Sequence, residues 1–234
     1  MSAIKLTLVL IVLGMFALIV LLMIRGERKR RAKRIARAEQ LGFLPLAEVP
    51  SSIQRRVDWL HTHRAKQKLE LRNLATLERG DHSLFLFDLV DVGGDESSTL
   101  QGDAMLVVSS DLTLPRFTMM TKIQQAGILA EWANKAIQSL VERRGYQPIR
   151  LRDPGIQDRF LVFSDDPTQT ASFFERVSFP ISRQISYVSI EAGGDAFTFG
   201  TIPLPSSGQS TFDSLESSMR EAEQWFRLFL RATN

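Results

Sequence analysis

The chain holds no cysteine in 234 residues, which excludes disulfide scaffolds, thiol nucleophiles and cysteine-based zinc sites together. Histidine is scarce as well. A zinc site needs at least three protein ligands, and His61, His63 and His82 are the whole supply, two of them near a helix end and the third in a separate turn. No Gly-x-Ser-x-Gly elbow, no Gly-x-x-x-x-Gly-Lys phosphate loop and no Gly-x-Gly-x-x-Gly fingerprint occurs. Nothing therefore supports hydrolase, P-loop or dinucleotide chemistry, and Ser206-Ser207-Gly208 reads as a plain linker. Hydrophobic content of 44% with 24% charged residues is ordinary for a globular chain and argues against disorder.

One uninterrupted apolar stretch is present. Leu6 to Ile24 runs without a charged residue, and 19 residues of helix span about 28 Å, the thickness of a bilayer's hydrocarbon core. The competing reading is a cleaved signal peptide, whose apolar region is shorter and ends at small residues. Here the stretch ends in Leu-Leu-Met-Ile-Arg and meets a basic block, so the expectation is an uncleaved anchor. Eight Lys/Arg follow it, namely Arg25, Arg28, Lys29, Arg30, Arg31, Lys33, Arg34 and Arg37, against Lys5 alone on the other side. Positive flanks stay inside, which places residues 1–5 outside the cell and the C-terminal part in the cytoplasm. The same eight side chains are candidate contacts for anionic lipid headgroups, or serve only to set topology.

Charge is unevenly divided. The sequence pI is about 9.4, yet of 29 Lys/Arg and 26 Asp/Glu residues 1–40 hold nine and two, leaving 20 and 24 for the rest. The remainder is mildly acidic, with a net charge of −4. A nucleic-acid reader needs a basic face of its own, so no nucleic-acid partner is expected. A smaller basic cluster, Arg55, Arg56, Arg64, Lys66, Lys68 and Arg72, reads as a solvated or membrane-facing surface.

Beyond the anchor, Arg28 to Gln40 is rich in helix formers until Gly42 and Pro45 break it. Ser51 and Ser52 then introduce a short amphipathic helix carrying Ile53, Val57 and Leu60, expected to start on a serine cap. Strands are expected at Leu69–Glu78, Leu84–Val92, Ala104–Val108, Phe117–Met120, Ile149–Arg152 and Arg159–Phe163, with a hairpin of Ile185–Ala192 and Ala196–Ile202 around Gly193-Gly194-Asp195. Asp166-Pro167 opens a short helix with Phe173 and Phe174. Two longer amphipathic helices carry Leu129, Trp132, Ala136 and Leu140, ending at Gly145, and Phe212, Leu215, Met219, Ala222, Phe226 and Phe229 behind a Ser210/Asp213 cap. The fold class is α+β, a mainly antiparallel sheet packed by two long amphipathic helices and preceded by one N-terminal transmembrane helix. Its parts are residues 1–5, a transmembrane helix over 6–24, a basic juxtamembrane region over 25–66, and a soluble domain over 67–234.

Three segments carry a resemblance. Phe87-Asp88 in the Leu84–Val92 strand, Leu114-Pro115-Arg116-Phe117, and Arg159-Phe160 resemble the FD, LPxF and RF strand pattern of a group of bacterial, often membrane-attached proteins of unknown function, over about residues 70–230. The resemblance implies a fold and no activity, since its motifs are strand edges and turns.

Carboxylates offer no ready acid–base pair. Asp88 and Asp91 fall on opposite faces of a strand, and Asp95/Glu96 and Asp165/Asp166 adjoin turns, where Asp commonly caps backbone. The Phe-rich stripes and Trp132 read as core. No catalytic residue, metal or cofactor is assigned. The expectation is a membrane-anchored, non-enzymatic interaction or scaffold domain at the inner leaflet, with membrane lipid and an unidentified protein as partners. The alternatives are an enzyme built on the loops Asp91–Ser98 and Asp153–Asp158, or an anionic-lipid sensor.

Overall fold

Gly42 stops the first helix, α1 (residues 32–40), as the sequence suggests, and hydrogen bonds show how. With Gly42 at φ 90°, its N–H reaches the Glu39 carbonyl at 2.9 Å and that of Phe43 reaches Ala38 at 3.0 Å, the paired bonds of a Schellman ending. The computed structural model describes residues 25, 32–61, 69–91, 102–122, 134, 135, 138, 141, 145–177, 188–201 and 215–233. The apolar run 6–24, Trp132, the Ser210/Asp213 cap and all but Asp91 of the Asp91–Ser98 loop lie outside these. Among the described residues no helix is long and apolar enough to cross a membrane. The chain divides into two units, Met1–Phe43 and Leu44–Asn234.

In the second unit nine strands form one sheet. They are β1 (Leu44–Pro45), β2 (Leu69–Glu78), β3 (Ser83–Asp91), β4 (Gly102–Val108), β5 (Leu114–Thr121), β6 (Gln147–Pro148), β7 (Phe160–Ser164), β8 (Val188–Gly194) and β9 (Ala196–Thr201). Their spatial order is β1-β2-β3-β4-β9-β8-β5-β7-β6. Every neighbouring pair is antiparallel, so the fold is α+β with a large antiparallel sheet. The β8–β9 hairpin is inserted between β4 and β5 and occupies the middle of the sheet.

Alternation along the strands sends two different sets of side chains to the two faces. One face carries Phe87, Leu89, Ala104, Leu106 and Ala196, and the helix α2 (Ser51–Leu60) buries Ile53, Val57 and Leu60 against them. Val141, Tyr146 and Phe163 cluster further along this face. The opposite face is aromatic. Phe117, Phe160 and Phe197 meet the helices α4 (Pro167–Arg176) and α5 (Leu215–Thr233), and Phe199 is buried on the same face. Phe229 of α5 has ring contacts with Phe117, Phe173, Phe197 and Trp225 at centroid distances of 5.3 to 5.8 Å. The buried stripe Met219, Ala222, Phe226, Phe229 keeps the 3,4,3 spacing of one helix face.

Local chemistry moves three boundaries. The α2 cap is Pro50 rather than a serine, and no side chain caps it. The Pro50 carbonyl accepts from Ile53 and Gln54, while Ser51 is already helical and its hydroxyl sits one residue too late. The strand expected at Ile149–Arg152 is not formed: β6 lies just before it at Gln147–Pro148, Ile149 still donates to Val162, and the Leu151 N–H turns to the Gln157 Oε1 side chain at 2.8 Å. The Asp153–Asp158 loop is instead α3 (Pro154–Arg159), with Pro154 in its first turn and the Asp153 carboxylate accepting from Gly155. Asp166 caps α4 as read, accepting from Gln169 at 3.0 Å.

Candidate functional site

Two bulges interrupt the sheet, and the resemblance motifs adjoin both. On β2 the register slips between Arg72 and Ala75, where Asn73 takes φ 54° and its side chain donates to Asp88 of β3. On β5 the register slips between Leu114 and Phe117, so that Pro115 and Arg116 together face Gly193 of β8. A bulge removes a ladder bond that proline cannot make and re-aims the neighbouring side chain. Here it presents Arg116 on the α2 face.

Arg116 lies among three elements. Its guanidinium carbon sits 5.0 Å from the Trp59 ring centre and 5.8 Å from that of Tyr146. Nη2 donates to the Trp59 carbonyl at 2.7 Å, and Nη1 stands 3.6 Å from Asp165 Oδ2. Its Nε is buried and has no acceptor among the described residues. Trp59 is 45% exposed and brings the edge of its indole against Gly193, where an added Cβ would stand 2.6 Å from Cη2 and Cζ3. Beside it Arg56 grips Asp195 at the hairpin tip, Nε to Oδ1 at 3.0 Å and Nη2 to Oδ2. That hydrogen bond holds the Asp195 carboxyl below the ordinary carboxylate range against the opposing effect of burial, and raises Arg56. The β8–β9 loop turns on Gly194 at φ 58°, as a two-residue hairpin loop with glycine first requires.

Beneath this cluster one cross-strand rung is polar. The register aligns Thr118, Glu191 and Thr198 on neighbouring strands, all buried. The Thr118 hydroxyl donates to Glu191 Oε2. His61, at the C-terminal end of α2, holds Nε2 3.3 Å from Thr198 Oγ1 and Nδ1 4.0 Å from Glu191 Oε1. Tyr146 closes this region, its phenol pushed up to about 12 by burial, with Arg116 opposing and Asp165 and Glu191 reinforcing. The seam joins α2, β5, β8 and β9 through polar groups.

The residues read as candidates from the sequence lie elsewhere. Arg25, Lys33 and Arg37 are exposed and Arg34 is half-buried, while Arg28, Lys29, Arg30 and Arg31 lie outside the described residues. The second basic cluster is partly engaged: Arg56 holds Asp195, Arg72 pairs with Glu70 at 2.8 Å, and Arg55 donates to the Ser51 carbonyl. The histidines are not brought together as ligands. His61 is in the seam, His82 bonds Asp81 at 2.6 Å and lies on Phe226, His63 is outside the described residues, and no three ligand-type side chains cluster among those described. Arg116, Glu191 and Tyr146 were missed by sequence reasoning. The available signal was a Glu inside Val-Ser-Ile-Glu-Ala, a strand with apolar neighbours. No family model, no curated protein and no solved structure matches the chain.

Proposed function

We propose that the chain is a single-pass membrane protein whose second unit is a non-enzymatic interaction domain held at the cytoplasmic side of the membrane. The observation that carries this reading is the division of the sequence into an uncharged 19-residue stretch, Leu6 to Ile24, a following block of eight Lys/Arg, and a remainder of net charge −4. The stretch is long enough to span as a helix, and the block keeps its own side inside. Two long amphipathic helices, α5 and one ending near Gly145, cover the sheet in this view. The seam supports it further: α2, the first helix of the second unit, is fixed to the sheet by Arg56–Asp195, by Arg116 to the Trp59 carbonyl and by His61 to Thr198. A clamped first helix suits a domain presented on a tether.

Reporters active only inside or only outside the cell, fused at the C-terminus, test the topology. The inside reporter is expected to be active, and activity of the outside one overturns the orientation. Interaction is tested by crosslinking in intact membranes, where a reproducible partner, lost when residues 44–234 are deleted, is expected.

Two other readings rest on particular observations. Enzyme chemistry would centre on the buried Glu191, His61 and Tyr146 group, and requires turnover lost in Glu191→Gln with the fold intact. Lipid sensing would use Arg25 to Arg37, and requires binding to anionic vesicles that weakens with salt.

A further inference from the structure

Two arginines side by side show what an engaged guanidinium looks like and what one held in reserve looks like. Arg56 closes a two-pronged pair on one carboxylate, the geometry that makes arginine–carboxylate contacts strong. The Arg116 guanidinium has five N–H donors, yet among the described residues it makes one hydrogen bond, to a backbone carbonyl, and stands 3.6 Å from Asp165, beyond hydrogen-bond length. Its Nε has no acceptor among them although it is buried. What fixes it is packing: the Trp59 ring on one contact, Tyr146 on another, and a bulge that aims it. Such a fork is oriented in advance at little cost to its donors.

The geometry points to Arg116 as the recognition residue of a binding site for an oxyanion-bearing ligand, a carboxylate or a phosphate, with Asp165 as the internal group that the ligand displaces. Asp165 suits that part. Its side chain is 43% exposed, and the helix cap is made by Asp166, not by Asp165, so its carboxylate can turn away without unravelling α4. The half-exposed Trp59 indole adjoins the fork and offers a planar apolar surface to the body of the ligand. The proposal uses no residue of the basic block Arg25 to Arg37, so its failure would leave the membrane reading untouched.

The test uses the full chain in detergent micelles and follows tryptophan fluorescence while sodium benzoate, inorganic phosphate or the neutral isostere benzamide is added. A saturable change with benzoate or phosphate and none with benzamide is expected. The arm that saturates identifies the headgroup as carboxylate or phosphate. Arg116→Lys keeps the charge and loses the fork, and is expected to weaken binding about tenfold. Asp165→Asn removes the competitor and is expected to tighten it about two- to five-fold, the range of a half-exposed ion pair. Because Asp165 is no cap, that variant stays informative if Arg116→Lys folds poorly. Absence of saturation by both anions, equal binding of benzamide, or an affinity unchanged in Asp165→Asn overturns the proposal.

Discussion

Gly193→Ala sets two effects of opposite sign against each other. Replacing a strand glycine normally stabilises, by about 0.5 to 1 kcal/mol, through reduced freedom of the unfolded chain. At this position the new Cβ would stand 2.6 Å from two indole carbons of Trp59, whereas ordinary contact begins near 3.4 Å, so the ring must withdraw by about 0.8 Å. It is not free to do so cheaply. Its backbone carbonyl accepts from Arg116 and its ring lies against the guanidinium, and the helix bearing it is pinned by Arg56 and His61. Overpacking of this kind costs about 1 to 3 kcal/mol, which outweighs the gain, so a net loss of roughly 0.5 to 2 kcal/mol is expected in urea unfolding followed by circular dichroism. The double variant Gly193→Ala, Trp59→Ala removes the clash. The cycle should therefore show a coupling of at least ~1 kcal/mol. A Gly193→Ala protein more stable than the parent, or single effects that add within ~0.5 kcal/mol, would refute the placement of Trp59 on this glycine.

Four further outcomes follow from the same contacts. Phe229→Ala empties the junction of four aromatic rings and should cost about 3 to 5 kcal/mol, lowering the melting temperature by roughly 10 °C in a calorimetric scan. Tyr146 is one of two tyrosines, so absorbance titration at alkaline pH should resolve one phenol near 12. Its folded value lies above the unfolded one. The stabilisation it brings is therefore complete below the unfolded pKa and is lost as pH rises toward 12; Tyr146→Phe should flatten that alkaline fall. Asp195 is displaced the other way by Arg56: its contribution, under ~1 kcal/mol at so exposed a site, is present above the unfolded pKa and lost as pH falls through the folded one. A Gln at position 56 should remove that acid-side slope in urea unfolding.

Pattern-based reading reached most of the strands and the aromatic core, because each rests on a period that one segment displays alone. Phe226 and Phe229 reveal a helix face by spacing, and Leu84 to Val92 a strand by composition, observed as Ser83–Asp91. The Asp153-Pro154 helix start was legible and passed over for the neighbouring loop residues. The seam was not legible, since Thr118, Glu191 and Thr198 come into line only through pairings between β5, β8 and β9. His61 looked like the end of a short helix, and its burial depends on a hairpin more than a hundred residues later in the chain. Arg116 belonged to the LPxF segment read as a strand start, where nothing local distinguishes a bulge from regular pairing.

Placing the β8–β9 hairpin at the centre of the sheet also sets an order of events in time. Until residues 188–201 have left the ribosome, β4 and β5 each present an open edge, and the sheet consists of two incomplete halves. Pairing of such distant segments is slow because loop closure precedes the contacts that reward it. A nascent chain halted before the hairpin should thus be held open and be prone to edge-to-edge association, and its sensitivity to protease should fall abruptly, not gradually, as synthesis passes Thr201.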